Sequence, residues 1–483
     1  MAGFSGGHLQ GQGLLEWQAG LSQVGWQGTL TGGVGEALYG AFYADLTKLP
    51  VTLAADVLFD SGQQLLGLRK LQIQAAGLGE VEQSGEVKPN RTSLVGRYDF
   101  PELGGKLATL VREAVGPSFP QLKEMAWQGR LQGDYQLVLA EGGGWLQTNL
   151  QPRRLDLSWN KNRLHLTGVG GILPVLVQWG AHPESLAIPG GQEGFLTMQK
   201  VEVGPLSLQP EPLEIHSLVN RWQITSPLIF SLADGTLRIA NLTAGWNTAG
   251  PLFDADIRLT GVELKPLTEE LQLPPMSGTL NADLGRIKYQ NNALESAGKV
   301  KIDVFGGHLT VSNIRYQDPL SSYATLNADI DFSGLDLQQL THTFEFGEMN
   351  GVLDGYVHNL RLFGLVPSRF DALIESRESG TRNISVKALN NLAVISQGAL
   401  LGTLSQGIYR FIDFYRYRKI GLRLNLENDV FRLTGTALAG DERYLVYGGL
   451  LPPRIDIVAP QNTISFKEML KRLSRIDRTS RQR

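Results

Sequence analysis

Cysteine is missing from all 483 residues, which rules out disulfides, cysteine-ligated zinc, iron–sulfur clusters and a thiol nucleophile. The absence suits an envelope protein that avoids oxidative cross-linking, although many cytoplasmic chains also lack cysteine. Charge is sparse too. Charged residues make up 19% of the chain and the formal net charge is −3, so there is no global basic footprint for nucleic acid. No run approaches the roughly 18–20 consecutive apolar residues that a membrane-spanning helix needs. The opening Met1-Ala-Gly-Phe-Ser-Gly-Gly has no basic n-region, no apolar h-region and no small-residue cleavage site. It reads like the interior of a pattern already running, as Gly7-His-Leu-Gln-Gly11 and Trp26-Gln-Gly-Thr-Leu-Thr-Gly32 do. A true soluble start and a fragment whose targeting segment lies upstream both fit, and the fragment is the expectation.

What the chain does have is alternation and repetition. Hydrophobic residues reach 42%, enough to exclude wholesale disorder, and the 57 glycines fall at turn-like intervals without a collagen period. A block beginning Gly235-Thr-Leu-Arg-Ile-Ala-Asn-Leu242 recurs about 73 residues later as Gly307-His-Leu-Thr-Val-Ser-Asn-Ile314. Ala255-Asp-Ile-Arg-Leu-Thr-Gly261 then aligns with Ala328-Asp-Ile-Asp-Phe-Ser-Gly334, and Leu264, Thr268, Gly278 and Leu280 align with Leu337, Thr341, Gly351 and Leu353. A duplicated unit of short strands implies a β-architecture that grows by stacking. Gly278 and Gly351 fall where a turn or bulge is needed.

Period-2 alternation marks strands at 155–159, 300–304, 324–332 and 422–426. The segments 155–168 and 422–435 share a hairpin template, with an Asn/Asp/Lys turn and a closing Leu-Thr-Gly. Helix is expected at Leu103 to Val115, at Pro266 to Leu271 and at Gln338 to Thr343. The longest candidate runs from Ser385 to about Tyr415, where Leu389, Leu392, Ile395, Leu400, Leu404, Ile408, Phe411 and Ile412 form an apolar stripe, split by Gly398, Gly402 and Gly407. Packing over a sheet end is the expected role of these helices, with contact to a bilayer surface as the alternative. Residues 461–483 form a basic amphipathic tail. From Lys467 onward it carries about +5 against about −8 for the rest, with Phe466, Met469, Leu470, Leu473 and Ile476 on one helical face. Phe466, Lys471, Arg472 and Arg475 are its candidate membrane or partner contacts. A solvated terminal helix with a frayed end is the equal alternative.

Catalytic motifs do not survive scrutiny. Gly3-Phe-Ser-Gly-Gly7 fits G-x-S-x-G without the preceding strand a nucleophile elbow requires, and Ser158-Trp-Asn-Lys161 runs into a hairpin turn rather than opening a helix. The seven histidines never adopt HExxH or HxH spacing, and no Walker A or strand-linked GxGxxG occurs. The carboxylate pairs Asp254/Asp256 and Asp329/Asp331 lie on one face of a strand, but aliphatic neighbours make that face the solvated one.

Three stretches carry a resemblance: Phe305-Gly-Gly-His-Leu-Thr-Val311, Met349-Asn-Gly-Val-Leu-Asp-Gly-Tyr-Val-His-Asn-Leu360 and Ile384-Ser-Val-Lys-Ala-Leu-Asn-Asn-Leu-Ala-Val-Ile395. They resemble the C-terminal half of AsmA-like bacterial envelope proteins, and within that group the YdbH branch, whose domain has also been labelled "dicarboxylate transport". The likeness is strongest over about 230–460. It implies an inner-membrane anchor at the N-terminus, lacking here, and a long periplasmic β-rod with a U-shaped, taco-like cross-section and an apolar interior that conducts phospholipid towards the outer membrane.

The resulting expectation is a mainly β, elongated, repetitive groove of stacked amphipathic strands with a few short helices near the C-terminus. Residues 1–230 form the N-terminal part of the groove, 231–383 the duplicated region, 384–460 a helical segment with a closing hairpin, and 461–483 the tail. The groove wall is expected to include Val300, Ile302, Val304, Leu309, Val311, Leu326, Ile330, Phe332, Leu353 and Val357, alternating with Lys301, Asp303, Asn327, Asp329 and Asp331. The expected role is non-catalytic transport of phospholipid between inner and outer membrane. No cofactor, metal or nucleic acid is expected, and the expected partners are phospholipids, the inner membrane and an outer-membrane protein. A structural or adhesive β-solenoid with a filled interior is the alternative, and a β-helical carbohydrate-active enzyme the third.

Overall fold

Alternating side chains commit most of this chain to strands. The computed structural model describes residues 2–17, 22–39, 42–45, 50–115, 124–159, 164–180, 187–204, 206–247, 250–319, 321, 323–364, 366–397, 413–439, 442–448, 456–458 and 463–471. The fold is mainly β, with antiparallel strand pairing and few short helices. Two compact units emerge: residues 1–230 with 240–254, and residues 231–239 with 255–483.

The first unit is an antiparallel meander. Its strands are β1 (Ala2–Trp17), β2 (Gln23–Tyr39), β3 (Phe42–Asp45), β4 (Val51–Asp60), β5 (Leu65–Ala75), β6 (Gly79–Lys88) and β7 (Arg91–Phe100). After α1 (Gly105–Val115) come β8 (Met125–Ala140), β9 (Gly143–Trp159) and β10 (Leu164–Gly180). Each long strand pairs with the next, β3 lying on β2 beside β4. The shorter β11 (Glu193–Thr197), β12 (Lys200–Val203), β13 (Leu206–Leu208), β14 (Leu213–Leu218) and β15 (Arg221–Ile224) follow. Strand β10 serves three neighbours: Leu164–Thr167 pair with β12, Gly170–Ile172 with β11, and its end is held by a side chain. Asn220 accepts from Gln178 N at 2.9 Å and donates to Gln178 O at 3.0 Å, standing in for a strand residue. Trp222 donates its indole N–H to Pro174 O at 2.7 Å and meets Trp246 edge-on.

Strand β16 (Leu228–Leu232) precedes the duplicated region. Its first copy consists of β17 (Gly235–Asn247), β18 (Gly250–Glu263), α2 (Leu264–Glu270) and β19 (Gly278–Gln290). After β20 (Ala293–Ser296) and β21 (Lys299–Val304), the second copy has β22 (Gly307–Gln317), β23 (Thr325–Asp336), α3 (Leu337–Thr343) and β24 (Val352–Phe363). The element order is the same, and so is the local chemistry. Thr268 Oγ1 donates to Leu264 O at 2.8 Å, as Thr341 Oγ1 does to Leu337 O at 2.7 Å, and both threonines are buried. Glu263 N donates to Ala233 O at 2.8 Å, as Asp336 N does to Phe305 O at 2.7 Å. Gly278 and Gly351 share φ values of 139° and 144°, where a Cβ would collide with the Asp303 carbonyl and the Tyr417 hydroxyl respectively.

The remaining elements are β25 (Val366–Ser376), β26 (Asn383–Ser385), α4 (Val386–Gln397), β27 (Phe414–Glu427), β28 (Val430–Gly435), β29 (Ala437–Ala439), β30 (Glu442–Gly448), β31 (Ile457–Val458) and β32 (Thr463–Ser465). The β27–β28 hairpin turns at Asn428 and Asp429, both at positive φ, as its template requires. The long helix expected from Ser385 to about Tyr415 is corrected at its far end. Phe414 and Tyr415 open β27, because Tyr415 and Tyr417 alternate inward against exposed Arg416 and Arg418. Leu400, Leu404, Ile408, Phe411 and Ile412 lie outside the described residues. The core of the second unit joins Leu264, Val304, Leu335, Leu337, Ile384, Leu389, Tyr415, Leu426 and Phe431, with α4 packed into it through Ala388 and Leu389.

Extra residues interrupt several strands without reversing their faces. The register shifts between Ser312 and Arg315 on β22, and between His358 and Arg361 on β24. Asn313 and Asn359 take φ of 53° at these bulges. One carboxylate holds both, since Asp329 accepts from Asn313 Nδ2 and from Asn359 N, each at 2.6 Å. Asp331 contacts His358 Nε2 at 2.8 Å. Asp329→Ala should therefore loosen two strands together, lowering the melting temperature by a few degrees and speeding amide exchange in β22 and β24 more than in β27. Unchanged exchange in those two strands would refute the shared latch.

Candidate functional site

The apolar positions expected to form a groove wall do share one face of the second unit. Val300 lies opposite Val311, Ile302 opposite Leu309, Val311 opposite Ile330, Leu309 opposite Phe332, and Ile330 opposite Val357. Leu326 follows on β23 at the same parity, opposite Tyr316. Lys299, Lys301, Asp303 and Asp331 are exposed between them. Coverage of this face is uneven. Val304 and Leu353 are buried in the core, and Ile302, Leu309 and Phe332 pack against it. Val300, Val311, Leu326, Ile330 and Val357 are only half-buried. The first group packs inside the protein, and the second keeps apolar surface open.

A longer apolar face lies in the first unit, where no residue was singled out from the sequence. One cross-strand row runs Leu30, Leu53, Ile73, Val81, Tyr98, Gly133, Leu150 and Leu173, over eight strands from β2 to β10. A parallel row runs Val57, Leu68, Gly85, Leu94, Leu137, Leu146 and Val177. Every member of the first row is half-buried, and among the described residues none belongs to the buried core cluster. The opposite face carries Asp56, Glu82, Arg97, Asp134 and Asn149, with Arg97 donating to Glu82 at 2.9 Å and Asn149 to Asp134 at 3.1 Å. The sequence signal was available in the alternation of 51–57 and 146–150, but Gly, Tyr and Gln interrupt it along β6 to β8.

Those interruptions have a structural reason. Tyr98 stands opposite Gly133, and Tyr135 opposite Gly96, and each ring lies over its glycine where a Cβ would collide with it. The hydroxyls pair on the face itself: Tyr98 with Thr148 Oγ1 at 2.9 Å, and Tyr135 with Gln83 Oε1. Burial pushes both phenol pKa values up, a sign of a partly dehydrated surface.

Elsewhere the second unit contains a cleft of about 1000 Å³ lined by the start of α2, the later part of α3 and the start of α4. Lys265, His342, Lys387, Glu345, Glu348 and Asp413 line it together with Phe305 and Phe414. Among the described residues, no group of three or more potential metal ligands converges. Of the tail candidates, Phe466 is half-buried against the core, 6.3 Å from the Phe431 ring, and Lys471 is exposed. Arg472 and Arg475 lie outside the described residues.

Tyrosine over glycine makes Gly133 a sensitive position. Gly133→Ala would drive a methyl group into the Tyr98 ring and the Asn149 carbonyl. A loss of about 1–3 kcal/mol is expected from overpacking, read by denaturant unfolding. Tyr98→Ala added to it should recover only part, because the carbonyl stays.

No protein-family model, no curated protein and no solved structure matches this chain.

Proposed function

We propose that this chain is a non-catalytic lipid-groove protein of the bacterial periplasm, which binds phospholipid acyl chains and conducts them between the inner and outer membranes. The observation that carries the reading is the eight-strand row from Leu30 to Leu173, mostly apolar, half-buried and, among the described residues, outside the buried core cluster. Acyl chains need apolar surface repeated at short intervals, and neighbouring strands supply it about every 4.8 Å. Each methylene sheltered from water contributes about 0.8 kcal/mol, so a lipid can be held firmly with no specific pocket. Successive rows offer nearly equivalent positions, so displacement along them costs little. No covalent step is required, and the carboxylates Asp329 and Asp331 are engaged in holding strands. The likeness of 305–311, 349–360 and 384–395 to AsmA-like proteins of the YdbH branch supports the same reading, with a membrane anchor and an outer-membrane partner as its further elements. A structural β-solenoid is the second reading, favoured by the filled core around Leu389 and Tyr415.

Two measurements test the proposal. A photo-crosslinking amino acid at Leu53 or Leu150 should capture phospholipid during expression, whereas one at Asp134 on the opposite face should not. Leu150→Asp and Ile330→Asp should each cut co-purifying phospholipid several-fold, with circular dichroism unchanged. Purified protein free of lipid, with no crosslink at Leu53 or Leu150, would favour the solenoid.

A further inference from the structure

A row of polar side chains breaks the apolar face of the first unit at one place. Between the rows through Leu150 and Leu146 runs a third, in which Leu71, Gln83, Gly96, Tyr135, Thr148 and Val175 stand opposite one another from β5 to β10. Tyr98, from the neighbouring row, lays its ring over Gly133 and brings its hydroxyl to Thr148. Tyr135 lays its ring over Gly96 and brings its hydroxyl to Gln83. The two rings stack with centroids 6.4 Å apart. Polar atoms thus reach across four strands, β6 to β9, a span of about 14 Å at the usual strand spacing.

The hydrogens of this row are not all used within it. Thr148 has one hydroxyl hydrogen and gives it to the Asp134 carbonyl at 2.7 Å, so the phenol of Tyr98 is the donor in their 2.9 Å contact. Tyr135 donates to Gln83 Oε1. Both phenol hydrogens are therefore spent inside the row. The Gln83 carboxamide keeps its two N–H donors, which have no partner among the described residues. Charge is the other discriminant. At the inward positions of 81–87, 94–98, 131–137 and 146–150 no side chain is charged. A phosphate or carboxylate would lose water there and meet no cation, and an ammonium group would meet no carboxylate. The complement of this place is a neutral acceptor, a carbonyl, with hydrocarbon on either side of it.

We propose that the Gln83 carboxamide, held by Tyr135, donates to an ester carbonyl of a diacyl glycerophospholipid, making the polar row a resting position on the apolar face. The inference rests on the lipid-groove reading and adds to it a place where successive positions are not equivalent. Ester carbonyls are uncharged acceptors at the root of the acyl chains. With one of them on Gln83 Nε2, the chains lie along the half-buried leucines of the flanking rows and the headgroup turns away from the sheet into water. Tyr135 is a positioning residue, because its bond to Oε1 fixes which end of the carboxamide is offered. The Tyr98–Thr148 pair closes on itself and offers no hydrogen, so the donor stands at the β6 end of the row alone.

The test offers the full chain an equimolar mixture of two phosphatidylcholines of equal chain length, one with ester and one with ether linkages, and reads the retained lipids by mass spectrometry. The ester lipid should be enriched about two- to tenfold, the range that one neutral hydrogen bond contributes. Gln83→Met, which keeps the length and loses the donors, should abolish the enrichment with total retained lipid unchanged. Tyr135→Phe should lower it part of the way. Thr92→Val, which removes a hydroxyl from the same face opposite Val87 and Leu139, should preserve it. Circular dichroism checks the fold of each variant, and Gln83→Asn, whose shorter arm withdraws the donors, replaces Gln83→Met if that variant does not fold. Equal retention of both lipids by the native protein, or an undiminished preference in the folded Gln83 variant, would overturn the resting position and leave the lipid-groove reading standing. So would a loss in Thr92→Val as complete as in Gln83→Met, because the preference would then belong to the face as a whole. Retention of neither lipid would overturn the groove and the resting position together.

Discussion

Everything in this fold depends on keeping a two-residue period in phase across many neighbouring strands. A slip of one residue would send every apolar side chain of a strand to the opposite face. The chain carries extra residues at several places, and each is absorbed in a bulge that leaves the faces intact. At β5, Leu68 and Leu71 face Gly85 and Gln83, so Arg69 and Lys70 take up the additional residue. At β22 and β24 the asparagines do so, and Asp329 ties their bulges to one carboxylate. Phase errors are thus confined to single loops of backbone, and the rows on either side stay continuous.

The two units use the same alternation to different ends. In the second, α4 and the tyrosines of β27 close over part of the sheet, and Val304 and Leu353 become ordinary core. Tyr417 shows how complete that closure is. Its hydroxyl donates to Asn350 O at 2.6 Å, and burial raises its pKa far above the usual phenol range. In the first unit the row from Leu30 to Leu173 remains half-buried, and Tyr98 and Tyr135 lie over glycines while stacking on each other with ring centroids 6.4 Å apart. An uncovered face gains less from burial, so its strands depend more on the ladder hydrogen bonds and on polar ties such as Gln132 to Gln151 at 3.0 Å.

Most of this was legible in the sequence where the signal is local. The α2 and α3 turns, the 422–435 hairpin and the alternating face from 300 to 332 follow from patterns within a dozen residues, and the repeat from the recurrence of such patterns about 73 residues on. The row from Leu30 to Leu173 was not legible, because its members are tens of residues apart and Tyr98 and Gly133 interrupt its aliphatic run. The overrun of the long helix to Tyr415 has a different cause. Aromatic residues at 411, 414, 415 and 417 suit a helical stripe as readily as an alternating strand, and only the inward tyrosines and outward arginines decide it. Phe466 illustrates a third limit: an amphipathic helix displays its apolar face, but periodicity does not say whether protein or lipid will cover it.

The closing hydrogen bonds of the duplicated region bear on how such a chain could lengthen. Glu263 to Ala233 and Asp336 to Phe305 each join the end of a copy's second strand to the turn that precedes its own first strand. Every copy therefore carries its own closing bond, while Leu264, Leu337 and Leu353 tie both copies into the core they share with α4 and β27. Removing one copy would take its closing bond with it but would also strip its leucines from that core, so the copies are alike in build without being interchangeable. Duplication could thus multiply the strands, with point mutation left to fit each new copy to the core it meets.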